Sequence, residues 1–283
     1  MANPVKGMKK LLFGTAGIPY STEKPTTVNG VKRVAELGLG AMELEFVRSV
    51  NLDKAKAAEV KKAASEAGVT LTCHGSYYIN LNSQEKEKVR ASEKRILEAA
   101  DIANRAGAVS LTFHPAFYMK QPPEEVYSRV RARLEEIVEV LKSFKNPIMV
   151  RPETTGKVSA FGSLEEIVRL SQEIDNVMPC IDFSHLHART NGKLNSRKEW
   201  EEMFSYLEKE LGKPFLKNLH CHLSGIQYTE KGERKHLPIR ESDMKYRELL
   251  GVMKDFKCRG VVICESPNIE DDALLYKKTF EKL

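Results

Sequence analysis

The chain has seven histidines, and all of them stand at or near the ends of short apolar runs, most with Asp or Glu close by. They occur in Cys73-His74-Gly75, Phe113-His114-Pro115, Asp182-Phe183-Ser184-His185-Leu186-His187, His220-Cys221-His222 and Arg234-Lys235-His236. Glu153 and Glu265 end two further runs, IMVRPE and GVVICE. Scattered histidines would read as surface residues or satisfied core residues. Confined to one class of location, imidazoles mixed with carboxylates suit a polynuclear site for divalent ions, zinc first, with manganese or iron as near competitors. Water held by two or three such ions ionises near neutral pH and becomes a nucleophile.

His74, His114, Glu153, Asp182, His222 and Glu265 come from six different runs, so only a closed arrangement of those runs can assemble them. Eight strand-like runs are present: KLLFGTAG, AMELEF, TLTCHG, AVSLTFHP, IMVRPE, VMPCIDF, FLKNLHCHLSG and GVVICES. Each is short, rich in branched or aromatic residues and bounded by Gly, Pro or charge, as parallel strands covered by helices should be. Amphipathic segments lie between them, among them 52–67, 83–106, 124–144, 163–174, 196–211 and 241–256. Asn51, Ser163 (with Glu166) and Ser196 (with Glu199) read as helix starts; Gly68, Gly107 and Gly212 read as left-handed helix ends. Strand and helix alternating eight times predict α/β architecture as a single (β/α)8 TIM barrel over residues 1–283. Its active site is expected at the C-terminal ends of the strands, where the histidines fall.

Alternation along a strand places His220 and His222 on one face of their strand, and likewise Cys180 and Asp182 on one face of theirs. Length and composition suit one large soluble core: 283 residues, 41% hydrophobic and 30% charged. No apolar run is long enough to span a bilayer, and residues 1–10 lack the apolar stretch of a signal peptide. The five cysteines show no CxxC pair and read as reduced, buried thiols of a cytoplasmic protein. A net charge of +6 is by itself mild. Its distribution says more: Arg189, Lys193, Arg197 and Lys198 form one basic group, and Lys231, Arg234, Lys235 and Arg240 another, both following His-bearing strands. A phosphate-bearing ligand is the expectation.

The segment His74-Gly75-Ser76-Tyr77-Tyr78-Ile79-Asn80-Leu81 resembles the endonuclease IV signature of His, a small or acidic residue, Ser-Tyr, an apolar residue and Ile-Asn-Leu. Phe113-His114-Pro115, Glu153-Thr154-Thr155-Gly156, Cys180 through His185 and Glu265-Ser266-Pro267-Asn268 resemble that family's later blocks in the same order. The resemblance implies a TIM barrel that cleaves duplex DNA 5′ to abasic sites with three clustered zinc ions; for this chain two or three divalent ions, a monomer and no membrane partner are expected. By that resemblance His74, His114 and Glu153 hold one metal. Glu153 bridges to a second, also held by Asp182, Glu265 and a histidine of the seventh strand. His222 is favoured there, with His220 the alternative. His185 and His236 hold the third. Glu153 and Glu265 are the catalytic candidates, with Glu153 an anchor rather than a free base. Tyr77, Tyr78, Arg189, Lys193, Arg197, Arg234 and Lys235 are expected to touch DNA.

One position departs from the family pattern. The aspartate expected two residues before His236 is Arg234, which cannot ligate a metal. Glu233 by a one-residue shift, or His187, could replace it; a two-metal site is the alternative. Two other classes stay open beside the nuclease: a metal-dependent sugar isomerase or epimerase on the same barrel, and a DNA-binding relative with reduced activity.

Overall fold

The computed structural model describes residues 8–283, so the reading of the N-terminal stretch as lacking a leader falls largely outside the described residues. Eight parallel strands make the barrel: β1 (Leu11–Ala16), β2 (Ala41–Glu45), β3 (Thr70–His74), β4 (Ser110–Phe113), β6 (Met149–Pro152), β8 (Ile181–Asp182), β9 (Leu219–Leu223) and β12 (Gly260–Cys264). They hydrogen-bond in the order β6-β4-β3-β2-β1-β12-β9-β8. The remaining strands form two antiparallel pairs above it, β5 (Ala116–Phe117) with β7 (Ala160–Phe161), and β10 (Gly225–Thr229) with β11 (Gly232–Leu237).

Between β6 and β8 the ladder thins because Pro179 has no N–H to donate. Closure is completed by the bridges Val150–Val177 and Glu153–Cys180, with Cys180 N donating to Pro152 O at 3.1 Å and Thr154 N to Cys180 O at 3.1 Å. The run VMPCIDF is therefore a strand of two residues preceded by two isolated bridges rather than one continuous strand.

The outer layer consists of α1 (Thr27–Glu36), α2 (Lys54–Ala67), α3 (Lys86–Arg105), α4 (Pro123–Ser143), α5 (Leu164–Glu173), α6 (Phe183–Arg189), α7 (Arg197–Leu216), α8 (Tyr246–Asp255) and α9 (Glu270–Lys282). Their apolar stripes bury Val31, Val60, Ile96, Leu134, Ile167, Trp200, Leu249 and Tyr276 against the sheet. Ser163 and Glu166 form the expected capping box. The α2 cap is Asp53, which accepts from Lys56 N at 2.8 Å, and not Asn51. Gly212 (φ 76°), followed by Pro214, breaks α7 where the helix was expected to stop. Among the described residues, no helix is long and apolar enough to cross a membrane.

Two elements above the barrel position the site and were not anticipated. Helix α6 starts immediately after β8, with Asp182 capping it by accepting from His185 N at 2.7 Å. The β10–β11 hairpin carries an irregularity in which Gln227 faces Lys235 while Tyr228 faces Glu233. Arg234 is thus the extra residue of a β-bulge, which changes which side chains of β11 face inward. Gly232 (φ +90°) bridges Lys157, and a Cβ there would collide with the Gly156 carbonyl, so only glycine lets the hairpin lie this close to the loop after β6.

Candidate metal centre

Residues at the C-terminal ends of the barrel strands converge on Glu153, which stands one residue past β6 and is fully buried. His74 Nε2 lies 3.1 Å from Glu153 Oε2. Around Oε1 stand His114 Nε2 at 3.2 Å, His185 Nδ1 at 3.2 Å and His222 Nδ1 at 3.4 Å. His222 Nδ1 is also 3.3 Å from Glu265 Oε1 and 4.0 Å from Asp182 Oδ2. Above these, His236 Nε2 faces His185 Nε2 at 3.4 Å. Glu233 Oε2 is 3.5 Å from His185 Nε2, and its Oε1 is 3.9 Å from His236 Nε2.

The fit to metal ions can be judged from these separations. Two donors sharing a tetrahedral ion at bonds of about 2.0–2.1 Å stand about 3.3 Å apart, and most of the distances above lie near that value. Asp182 Oδ2 and His222 Nδ1 are buried without a hydrogen-bond partner, both directed into the cluster. Around Glu153 donor atoms gather in three groups: His74, His114 and Glu153; Glu153, Asp182, His222 and Glu265; Asp182, His185 and His236. A fourth, Cys180, His220 and His222, lies on the other side of the His222 ring. The donors are nitrogen and oxygen, a set that suits zinc, manganese or iron. The residues present fit divalent ions.

Ring orientation is fixed from outside the cluster. His74 Nδ1 contacts Gly75 O at 2.8 Å, His185 Nδ1 contacts Thr154 O at 3.0 Å, and His236 Nδ1 contacts Glu265 O at 3.1 Å. A backbone carbonyl only accepts, so each of these rings carries its proton on Nδ1 and offers Nε2 to the cluster. The 3.2 Å contact of His185 Nδ1 with Glu153 Oε1 is then a hydrogen bond and not the spacing of two ligand atoms.

Charges are shifted accordingly. Burial would raise the Glu153 carboxyl, but His114 and His222, with hydrogen bonds from His114 and His185, hold it well below the usual range. Burial disfavours the His74 cation, yet its contact with Glu153 raises it to about 10. Glu265 moves well above the usual carboxyl range, chiefly by burial, with Glu153 and Asp182 adding to it. An excess of buried carboxylate of this kind is what a divalent cation relieves. In metal-free protein the His74–Glu153 contact is a stabilising ion pair present in full below the ordinary histidine value and lost as pH rises toward 10. Thermal unfolding in chelator should therefore show stability falling between pH 7 and pH 10, and His74→Gln should flatten that fall; an unchanged slope in the variant would contradict the assignment.

Of the residues expected at the site, His74, His114, Glu153, Asp182, His185, His222, His236 and Glu265 are brought together. His220 is not: it lies deeper, its Nδ1 3.0 Å from Ser110 Oγ. His187 faces away, held between Leu194 O at 3.0 Å and Asp243 Oδ1 at 2.9 Å. Arg234 lies outside the cluster, exposed at the bulge, and Glu233 takes the inward place. Two carboxylates escaped the sequence reading, Glu43, which is buried, and Glu45, which is half-buried. Glu43 Oε2 is 2.8 Å from His220 Nε2, and its Oε1 is 2.9 Å from His222 Nε2. Glu45 pairs in register with His74, and burial with the neighbouring Glu43 charge raises its carboxyl to about 7. Their signal was present: two acids two residues apart inside the apolar run AMELEF share one face of a buried strand.

The cluster opens into a cleft of about 420 Å³ lined by Tyr77, Phe117, Lys157, Glu233 and His236 among others. Tyr77 packs edge-on to His74 at 5.6 Å between ring centroids. Tyr78 instead lies 5.9 Å from the Arg95 guanidinium, outside the cleft lining. A shallow groove bearing Lys157, Lys231, Glu233 and Arg234 adjoins it. Lys193 and Lys235 are exposed. Two of the arginines expected to touch phosphate are engaged otherwise: Arg189 donates to Lys157 O at 2.7 Å and Ala160 O at 3.0 Å, and Arg197 pairs with Asp255 and with Glu201 at 2.8 Å.

A closed (β/α)8 barrel whose strand ends gather histidines and carboxylates defines the class of this protein. The chain belongs to the xylose isomerase-like TIM barrel family, whose model matches residues 31–283. An uncharacterized protein of Methanocaldococcus jannaschii is 42% identical over 273 residues, covering 96% of this chain and 98% of the relative. Among solved structures, endonuclease IV from Thermus thermophilus superposes with a TM-score of 0.75 at 17% identity, covering 96% of this chain and 100% of that one. A D-tagatose 3-epimerase-like protein gives 0.72 at 19% identity, covering 95% and 96%. A 3-keto-D-glucoside 4-epimerase from E. coli gives 0.69 at 14% identity, covering 97% and 100%. At these identities the structural likenesses establish the fold alone.

Proposed function

We propose that this protein is a metal-dependent phosphodiesterase of the endonuclease IV kind, cutting duplex DNA 5′ to abasic sites and leaving a 3′-hydroxyl. One observation carries the reading. The quartet Glu153, Asp182, His222 and Glu265 would suffice for a single ion, yet His74, His114, His185 and His236 extend it into two further donor groups. An enzyme that only moves a proton on carbon needs a positioned free base. A phosphate ester, with charge on several oxygens in the transition state, is served by several cations held together.

Bound divalent ions would supply an ionised water at neutral pH and stabilise the leaving oxygen. The chain's own residues do the rest. Glu153 touches four imidazoles and anchors the adjacent donor groups, so it is not free to act as a base. Glu233, held at the cleft by the bulge, would add a carboxylate to the group of Asp182, His185 and His236. Tyr77, 59% exposed on the cleft lip, offers a ring that can fill the gap left by a missing base. Lys157, Lys231 and Arg234 in the adjoining groove would receive the flanking phosphates.

The epimerases among the structural neighbours favour a second reading, a sugar isomerase or epimerase using the quartet alone. Incubation of the metal-loaded protein with an abasic-site duplex, beside ketohexose mixtures, separates the two. Nicking abolished by chelator supports the nuclease; epimerisation without nicking overturns it.

Duplex binding should depend on salt through the groove. Replacing Lys157 and Lys231 together with Gln should weaken binding and reduce the log–log salt slope by about 1–2, since each lost phosphate contact accounts for roughly 0.9. Arg197→Gln should leave the slope unaltered, because that guanidinium already faces Asp255 and Glu201. An unaltered slope in the double variant would rule out the groove.

A further inference from the structure

Three of the inward-facing histidines are oriented by backbone carbonyls at their outer nitrogens, and His222 has no such partner. Its outer nitrogen, Nε2, lies 2.9 Å from Glu43 Oε1, in the barrel interior beneath the cluster. We propose that Glu43 is a positioning residue: it accepts a hydrogen bond from the Nε2–H of His222 and so holds that ring in the tautomer whose Nδ1 lone pair faces Glu153, Asp182 and Glu265. The inference rests on His222 serving as a metal ligand.

The geometry distinguishes this role from that of a ligand. Glu43 stands 2.8 and 2.9 Å from its two imidazole nitrogens, whereas the donors around Glu153 are spaced at 3.1–3.4 Å. The shorter values fall in the range of charge-assisted contacts between donor and acceptor, below the separation of about 3.3 Å expected of two atoms sharing a tetrahedral ion. Neither Glu43 oxygen makes an aligned hydrogen bond in this structure, so the pairing rests on the two short separations and the burial of all three groups.

His220 completes the arrangement. It faces the second Glu43 oxygen with Nε2, while its Nδ1 can accept from the Ser110 hydroxyl at 3.0 Å. One carboxylate thus faces two rings, and turning it away from His222 would also separate it from His220. Cys180 Sγ also approaches His222 Nε2, at 3.7 Å, but a neutral thiol so far away is a weaker acceptor than an anion at 2.9 Å. The buried Glu of an otherwise apolar strand thereby acquires a use: it orients a ring for which the backbone supplies no acceptor.

The test reads tautomers and metal affinity directly, without activity. In zinc-loaded wild-type protein, ¹⁵N correlation spectra of the histidine rings should show His222 protonated at Nε2 and metal-shifted at Nδ1. A proton on Nδ1 with metal at Nε2 overturns the proposal, and no folded variant is needed for that result. Zinc affinity, measured by competition with a chromophoric chelator, should fall roughly 10- to 100-fold in Glu43→Gln, the range for outer-sphere partners of metal-bound histidine. Cys180→Ser should leave affinity unchanged; a loss as large as that of Glu43→Gln would assign the role to the thiol and overturn the proposal. His222 Nδ1 metal-shifted with undiminished affinity in Glu43→Gln refutes the positioning role alone. An Nδ1 that zinc does not shift refutes instead the reading of the cluster on which it rests.

Discussion

Glu153→Gln should lose most of the bound metal in one step and lower abasic-site cleavage by more than the ~100-fold typical of losing an outer-sphere partner. The reason is connectivity. Its two oxygens stand within 3.4 Å of His74, His114, His185 and His222, so the loss of one charge affects adjacent donor groups together. A glutamine keeps the shape but supplies one weak donor oxygen and an NH2 that repels a cation. The metal-free variant should also be less stable than metal-free wild type at neutral pH, because burial leaves the His74 cation without its partner. Elemental analysis with thermal unfolding of both proteins checks this; a variant that retains its full complement of ions contradicts it.

The second large effect concerns the hairpin. Glu233→Gln should release the ion held with His185 and His236 and reduce cleavage strongly, while Arg234→Asp should leave metal content unaltered. Sequence spacing alone suggests the opposite, since Arg234 stands where the endonuclease IV pattern has an aspartate. The bulge reverses it: Glu233 Oε2 lies 3.5 Å from His185 Nε2, and Arg234 lies on the outer groove. Gly232→Ala should reproduce the Glu233 defect through the backbone, because its Cβ would push the hairpin from the Gly156 carbonyl. Metal content and single-turnover cleavage measured on one preparation of each variant decide the matter. A gain of metal in Arg234→Asp would mean that Glu233 does not fill the position.

The barrel was legible because buried parallel strands leave continuous apolar runs, and their ends were marked by His and Glu. The convergence on Glu153 followed from closure, which brings ends distant in sequence together. What escaped had a local physical cause in each instance. The bulge at Arg234 depends on the glycine-permitted approach of Gly232 to Gly156, a tertiary contact with no one-dimensional pattern. Alternation placed His220 and His222 on one face, but not their depth, which decides that His222 meets the cluster and His220 meets Ser110. Arg189 and Arg197 looked available for phosphate because their partners, the carbonyls of Lys157 and Ala160 and the carboxylate of Asp255, are remote in sequence. Glu43 and Glu45 were visible as acids in an apolar strand, and their value emerges only beside the histidines of β3 and β9.

The central claim is that the strand ends hold a polynuclear centre. Its most direct test is elemental analysis of protein purified without chelator, expressed per chain. The account predicts at least two tightly held divalent ions, zinc, manganese or iron, that survive gel filtration. Less than one such ion per chain would contradict it.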